Sequence, residues 1–286
     1  GQVGELERAR DSAARGLALA ERALGPEHPV VADATSTLST RTAALARSLA
    51  DPAAAAREYT QAIALMERTL TVRRRNLEPG DPSIAEAINN LAQVRFLAGE
   101  VDGIEASHAE AIVMLERSAL PEDFRIGHFL ACLGTAQDAF GKQAEALQTH
   151  ERALAIRQRL FPADHPDVAA TLNSLGLVHL HLGDPTKARP LLEQAHAIRK
   201  RIVGSDTHPM VASSQRSLAL LEILAGDLER GRTALAQAAA VSTPAELAEA
   251  RFALARAIWD QAPEARGEAR ALRLPPATWP SRASMA

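Results

Sequence analysis

The chain has 286 residues and a formal charge of −3, enough length to bury a sizeable core and no overall basic field to draw in nucleic acid. Apolar residues make up 47% and aromatics only 3%, with Ala and Leu dominant, a mix that suits close-packed helices and argues against a β-sandwich. Basic charge is almost wholly Arg, the only lysines being Lys142, Lys187 and Lys200, and the high Ala and Arg content points to a GC-rich bacterial genome.

The chain opens on Gly1-Gln2, which reads as a turn between two helices, followed by Ala9, Ala13 and Gly16 at the small positions of a second helix. Residues 1–24 therefore read as half a repeat, in a chain that starts in mid-unit and is cut from a longer protein. Repeats follow at 28–77, 81–119, 123–161, 165–203 and 208–241. Ile84, Ile126, Val168 and Val211 each follow a turn, at spacings of 42, 42 and 43 residues. Fifteen residues after each stands a glycine: Gly99, Gly141, Gly183 and Gly226. Self-similarity at one period is the signature of a solenoid built from helix hairpins. Within a unit the first helix carries apolar residues at helical spacing, such as Leu172, Leu175 and Val178, and the glycine caps its C-terminus. The second carries small residues, Ala146 and Ala153 around His150, or Ala188 and Ala195 around Leu192, so two helices can approach closely. It ends in Val72-Arg73-Arg74-Arg75, Ile156-Arg157 or Ile198-Arg199, cations that complement the helix dipole. The Arg73–Arg75 cluster reads as a solvated helix end, with a patch for an acidic partner as the sharper alternative.

The first full unit is longer. Val31 to Ile84 spans 53 residues, eleven more than elsewhere, divided as four in the first helix and seven in the second. These are close to one and two helical turns, so the apolar stripe keeps its facing and the hairpin stands roughly 6–10 Å longer. The connecting turns repeat His-Pro or Asp-Pro, with proline at the first helical position and Asp81 as N-cap. His165 and His208 in that place could be ligands or bases, but their recurrence marks them as turn residues. Downstream, Thr243-Pro244-Ala245-Glu246 is a capping-box pattern opening a capping helix over 244–260. Residues 261–286 read as a short helix after Pro263 and a loose tail from Trp279.

Gly176, Ala188 and Ala195, with Leu175, resemble the tetratricopeptide repeat pattern. The 42-residue unit, with His165-Pro166-Asp167-Val168-Ala169, Thr171-Leu172-Asn173-Ser174-Leu175 and Asn89-Asn90-Leu91-Ala92, resembles the kinesin-light-chain type. The order of elements, with the stretch from Pro244 to Arg256, also resembles arrays at the C-terminal end of bacterial Ser/Thr kinases. The resemblance implies an all-α, right-handed α-solenoid of antiparallel helix hairpins, whose first helices line a concave peptide-binding groove. By that resemblance the groove positions are Arg47, Asn89, Gln93, Phe96, His128, Asp138, Asn173, Leu177, His181, Arg216 and Leu220. Asn89 and Asn173 are the sharpest, because a carboxamide can hold an extended peptide backbone, although each could equally be solvated or link neighbouring helices. Phe96, Leu177 and Leu220 would supply pockets. None of the three lysines falls in the groove, so a dicarboxylate clamp is not expected.

No phosphate-binding glycine loop, His-Glu-x-x-His motif or nucleophile–base set is found, and His179 and His181 lie on opposite faces of a helix. Cys132, the only cysteine, forms no disulfide and reads as a small buried side chain. No apolar run approaches the roughly 20 residues of a membrane span, and residues 1–20 are charged and amphipathic rather than a signal peptide. The expectation is a cytoplasmic, non-catalytic scaffold binding a protein or peptide, with no cofactor, metal, nucleic acid or membrane. Its alternatives are the regulatory region of a larger signalling enzyme, such as a bacterial Ser/Thr kinase, or a self-associating scaffold.

Overall fold

A computed structural model describes residues 2–118, 124–240, 242 and 246–261. The described residues form twelve helices and no strand: α1 (Gln2–Leu24), α2 (Pro29–Ser48), α3 (Pro52–Asn76), α4 (Pro82–Leu97), α5 (Ile104–Arg117), α6 (Phe124–Ala139), α7 (Gln143–Leu160), α8 (Pro166–His181), α9 (Pro185–Val203), α10 (Pro209–Leu224), α11 (Leu228–Ala239) and α12 (Ala248–Gln261). They group into two compact units, one running to Ala136 and the other from Gln137.

Local chemistry sets the helix ends. Asp51 and Asp81 accept backbone N–H bonds at the starts of α3 and α4. His28, His165 and His208 do the same with an imidazole: Nδ1 accepts from Val30 N at 3.2 Å, Asp167 N at 3.2 Å and Met210 N at 3.1 Å. A neutral ring nitrogen substitutes here for the usual carboxylate or hydroxyl cap, so these histidines are turn residues. At the other end, Gly99, Gly141, Gly183 and Gly226 all take positive φ, between 75° and 90°. Each closes the same pair of hydrogen bonds; Gly183 N donates to Leu180 O at 2.9 Å while Asp184 N donates to His179 O at 2.8 Å. That left-handed turn satisfies two carbonyls of the last helical turn.

In the unit that runs to Ala136, each helix from α1 to α4 packs on the next, α4 on α5, and α2 touches α4. Helix α2 has 20 residues against 16 in α4, α6, α8 and α10, and α3 has 25 against 18 in α7 and 19 in α9. The four extra residues lengthen α2 by about 6 Å at 1.5 Å per residue. Ser39 Oγ donates to Ala62 O at 2.7 Å, which holds the lengthened pair backbone to side chain. Gly16 does not behave as a close-packing position: it is exposed, and a Cβ there would meet nothing within 4 Å.

In the unit from Gln137, α7 to α11 pack in sequence, α8 also touches α10, and α12 lies on α10 and α11. Ala188, Leu192 and Ala195 are completely buried. A Cβ on Gly176 would come within 2.5 Å of the Leu192 side chain, so only glycine lets α8 and α9 close to this distance. Leu247, Leu254 and Ile258 join Ala219, Ile223 and Leu235 in one core, which docks α12. Residues 246 and 247 form a turn, so this helix begins at Ala248 rather than 244, and Thr243–Ala245 lie outside the described residues. The Asp123 turn, the short helix after Pro263 and the tail from Trp279 also lie outside them.

The basic helix ends differ from the expected solvated cluster. Arg73, Arg157 and Arg199, the first cation of each, are 6%, 4% and 7% exposed. Arg73 Nη1 donates to Ser83 O at 2.6 Å, and Nη2 to Asp33 Oδ1 at 2.9 Å. Arg157 Nη1 repeats this with Asp167 O at 2.9 Å and Thr171 Oγ1 at 2.6 Å. In both, the guanidinium reaches ten residues forward to a carbonyl in the first turn of the next helix. Within the Arg73–Arg75 cluster, Arg74 and Arg75 face solvent.

Candidate functional site

The expected groove residues separate by what each helix packs against. Arg47 is exposed on α2, and Gln93 and Phe96 are half-buried on α4. Asn89, on the same face of α4, is fully enclosed, with Oδ1 2.9 Å from His108 Nδ1 on α5. Burial, with a smaller contribution from His128, pushes His108 down to about 4. The neutral ring therefore donates its Nδ1–H to the amide oxygen, which is spent inside the hairpin and not offered to a peptide. His128 is exposed on α6, with Nε2 3.8 Å from the Sγ of Cys132. That thiol is half-buried rather than part of a core.

In the unit from Gln137 the outcome is different. Asn173 and Leu177 lie one turn apart on α8, and Arg216 and Leu220 one turn apart on α10, so both pairs face the seam between these helices. With Glu246 and Glu249 at the start of α12 they line a cavity of ≈ 190 Å³. Asn173 is 7% exposed, and its Oδ1 has no hydrogen-bond partner. The residue nineteen positions after Asn89 is the donor His108, whereas nineteen after Asn173 stands Leu192, which has nothing to donate. The carbonyl left over is an unsatisfied buried acceptor on a residue that lines the cavity.

Charge surrounds it. Arg216 Nη1 donates to Ser242 Oγ at 2.8 Å, and Nη2 lies 3.9 Å from Glu246. At the edge, His181, one turn beyond Leu177, is held between two carboxylates. Nδ1 is 2.9 Å and 3.0 Å from the Asp138 oxygens, and Nε2 is 3.0 Å from Glu249 Oε1. Burial works against its charge, but the hydrogen bonds it donates to Asp138 and Glu249 outweigh it and push the imidazole up to about 10. His181 is thus a permanent cation near neutral pH, and it ties α12 to the end of α6. Asp138 and His181 were both expected groove positions and are brought together. Glu246 and Glu249 were missed, because their sequence signals only a helix start and gives no sign of what that start covers.

Among the described residues no group of three or more His, Cys, Asp or Glu side chains could hold a metal ion, and no helix is long and apolar enough to cross a membrane. His181 illustrates the first point, since its two nitrogens serve carboxylates on opposite sides of the ring.

Profiles described as tetratricopeptide repeat match residues 1–30, 42–83, 130–201 and 167–243. No curated protein matches the chain. Solved structures with a similar fold include BtubC (BKLC) from P. vanneervenii, 22% identical, covering 75% of this chain and 87% of that one with a TM-score of 0.58. A kinesin-light-chain-type protein of Podosopora anserina with nearly identical TPR-like repeats is 22% identical, covering 75% and 96%, at a TM-score of 0.57. A Rap conjugation gene regulator of the plasmid pLS20, in complex with the Phr* peptide, is 12% identical, covering 95% and 72%, at 0.53. At these identities the likeness establishes the fold: all-α, of kinesin-light-chain-like helix hairpins.

Proposed function

From the premise that this chain belongs to the tetratricopeptide repeat family, we propose that it is a non-catalytic interaction scaffold that takes a linear peptide segment of a partner into the cavity between α8, α10 and α12. The observation that carries this reading is the Asn173 carbonyl, on a residue only 7% exposed and without a partner beside the apolar walls of Leu177 and Leu220. A buried acceptor left open costs about 1–3 kcal/mol, which a peptide N–H or side-chain donor would recover. The Rap relative with its bound Phr* peptide supports the choice of ligand class. Arg47, Gln93, Phe96 and His128, in the unit that runs to Ala136, remain candidate peptide contacts of that unit by itself.

The test is to fill the cavity. Leu177→Trp places an indole in the space, and Thr60→Trp, on an exposed position of α3, is the matched control. Partners copurified from extract with wild type and with Thr60→Trp should drop at least tenfold with Leu177→Trp while its thermal unfolding is unchanged. Equal recovery by all three proteins would end the proposal.

A further inference from the structure

The chemistry of the same cavity narrows the peptide further, resting on the reading above. We infer that the cavity is a subsite for a basic side chain, Lys or Arg, of the bound segment. Three groups define it. Asn173 lines it and has nothing donating to its buried Oδ1. Leu177 and Leu220 line the walls, matching the aliphatic stem that Lys and Arg lay along apolar surface. Glu246 and Glu249 line it from the start of α12, with side chains 32% and 62% exposed, so charge is concentrated on the side open to water.

The balance of charge favours a cation. Two carboxylates, Glu246 and Glu249, stand against one guanidinium, Arg216, and Arg216 already has Ser242 and Glu246 as partners. His181 and Asp138 offset one another at the edge. An anionic side chain would meet two carboxylates and an amide oxygen, and the guanidinium that faces them, Arg216, already has Ser242 and Glu246 as partners. A purely apolar side chain would leave the Asn173 oxygen as it is, unpaired. A Lys ammonium has three donors and an Arg guanidinium five, so either can bond the amide oxygen and a carboxylate together. The cavity, ≈ 190 Å³, has room for a side chain.

The probe is a positional-scanning set of N-acetylated, C-amidated hexapeptide pools, each fixing one residue at one position, measured for retention on the immobilised full chain. Pools fixing Arg or Lys are expected to be held about tenfold above those fixing Glu or Leu, the equivalent of ~1.4 kcal/mol. Glu246→Gln removes one rim charge and should reduce that ratio about threefold, whereas Glu151→Gln, exposed on α7, changes net charge equally and should leave it unaltered. Asn173→Asp puts a carboxylate where the open carbonyl stands and should raise the ratio, a gain that misfolding cannot mimic. If both Gln variants lower the ratio alike, the preference is diffuse electrostatics and the inference fails. If pools bind, lose binding with Leu177→Trp, and show no basic preference, the inference fails while the peptide reading survives. If no pool binds better to wild type than to Leu177→Trp, both fall together.

Discussion

Replacing His181 by Gln should cost stability in a way that only pH reveals. In the fold the imidazole sits between Asp138 and Glu249, and its pKa is raised from the ordinary 6.5 to about 10. The sign follows: the folded state holds a proton that the unfolded chain has released, so the stabilisation is complete below pH 6.5 and disappears as pH rises through about 10. A shift of ~3.5 pH units corresponds to at most ~5 kcal/mol at 1.36 kcal/mol each. The ring is 29% exposed and Glu249 62%, so water screens both bonds. A realistic contribution is ~2 kcal/mol. Urea unfolding followed by circular dichroism, on wild type and His181→Gln from about pH 6 to about pH 10.5, measures it. All other titratable groups are common to both proteins and cancel in the difference. Wild type should be more stable by ~2 kcal/mol near pH 6, with the gap closing towards the top of the range. A gap that stays constant within ~0.5 kcal/mol would show that the two carboxylates do not hold the proton, and the tie between α12 and α6 would have to be explained otherwise.

On the acid side the sign reverses at His150, which is 1% exposed and pushed down to about 4, chiefly by burial. Its neutral form is the one the fold accepts, so stability present above pH 6.5 is lost as pH falls towards 4; His150→Leu, which copies Leu192 at the matching repeat position, should remove ~1–3 kcal/mol of that loss in the same urea assay. Gly176→Ala should destabilise by ~1–3 kcal/mol because its methyl group would enter Leu192, while Gly16→Ala, in the open on α1, should stabilise by ~0.5–1 kcal/mol. Thermal unfolding distinguishes the two, and equal effects would show that the α8–α9 approach is not tight. Arg157→Met should cost ~2–3 kcal/mol through the two charge-assisted hydrogen bonds it removes from the start of α8, against at most ~0.5 kcal/mol for Arg75→Ala, whose pair with Glu27 is exposed. Similar losses from both would contradict the assignment of buried and solvated roles within these basic helix ends.

Helix positions were legible because their signals are local. Proline at the first position, a side chain accepting the next free N–H and a left-handed glycine at the end act within a few residues, so period and length carry directly into the fold. The lengthened α2–α3 pair was legible for the same reason, since whole added turns preserve the facing of the apolar stripe. The functional face was less so. Asn89 and Asn173 occupy one repeat position and look interchangeable in the sequence, yet one is consumed by His108 and the other is left open beside Leu192. Arg73 and Arg75 are two residues apart, and which of them is buried depends on where the next helix starts its first turn.

The linear pattern of residues is enough to establish a tetratricopeptide-type helix array, where its hairpins break, and that its histidines before proline are turn residues. Which groove residue still has an unsatisfied oxygen is a matter of packing, because hydrogen bonding and desolvation depend on partners 19 to 68 residues away. Packing also brings Glu246 and Glu249 at the start of α12 to the cavity and leaves His181 charged at its edge. Those two facts rest on docking through Leu254 and Ile258, a tertiary event that no local pattern announces.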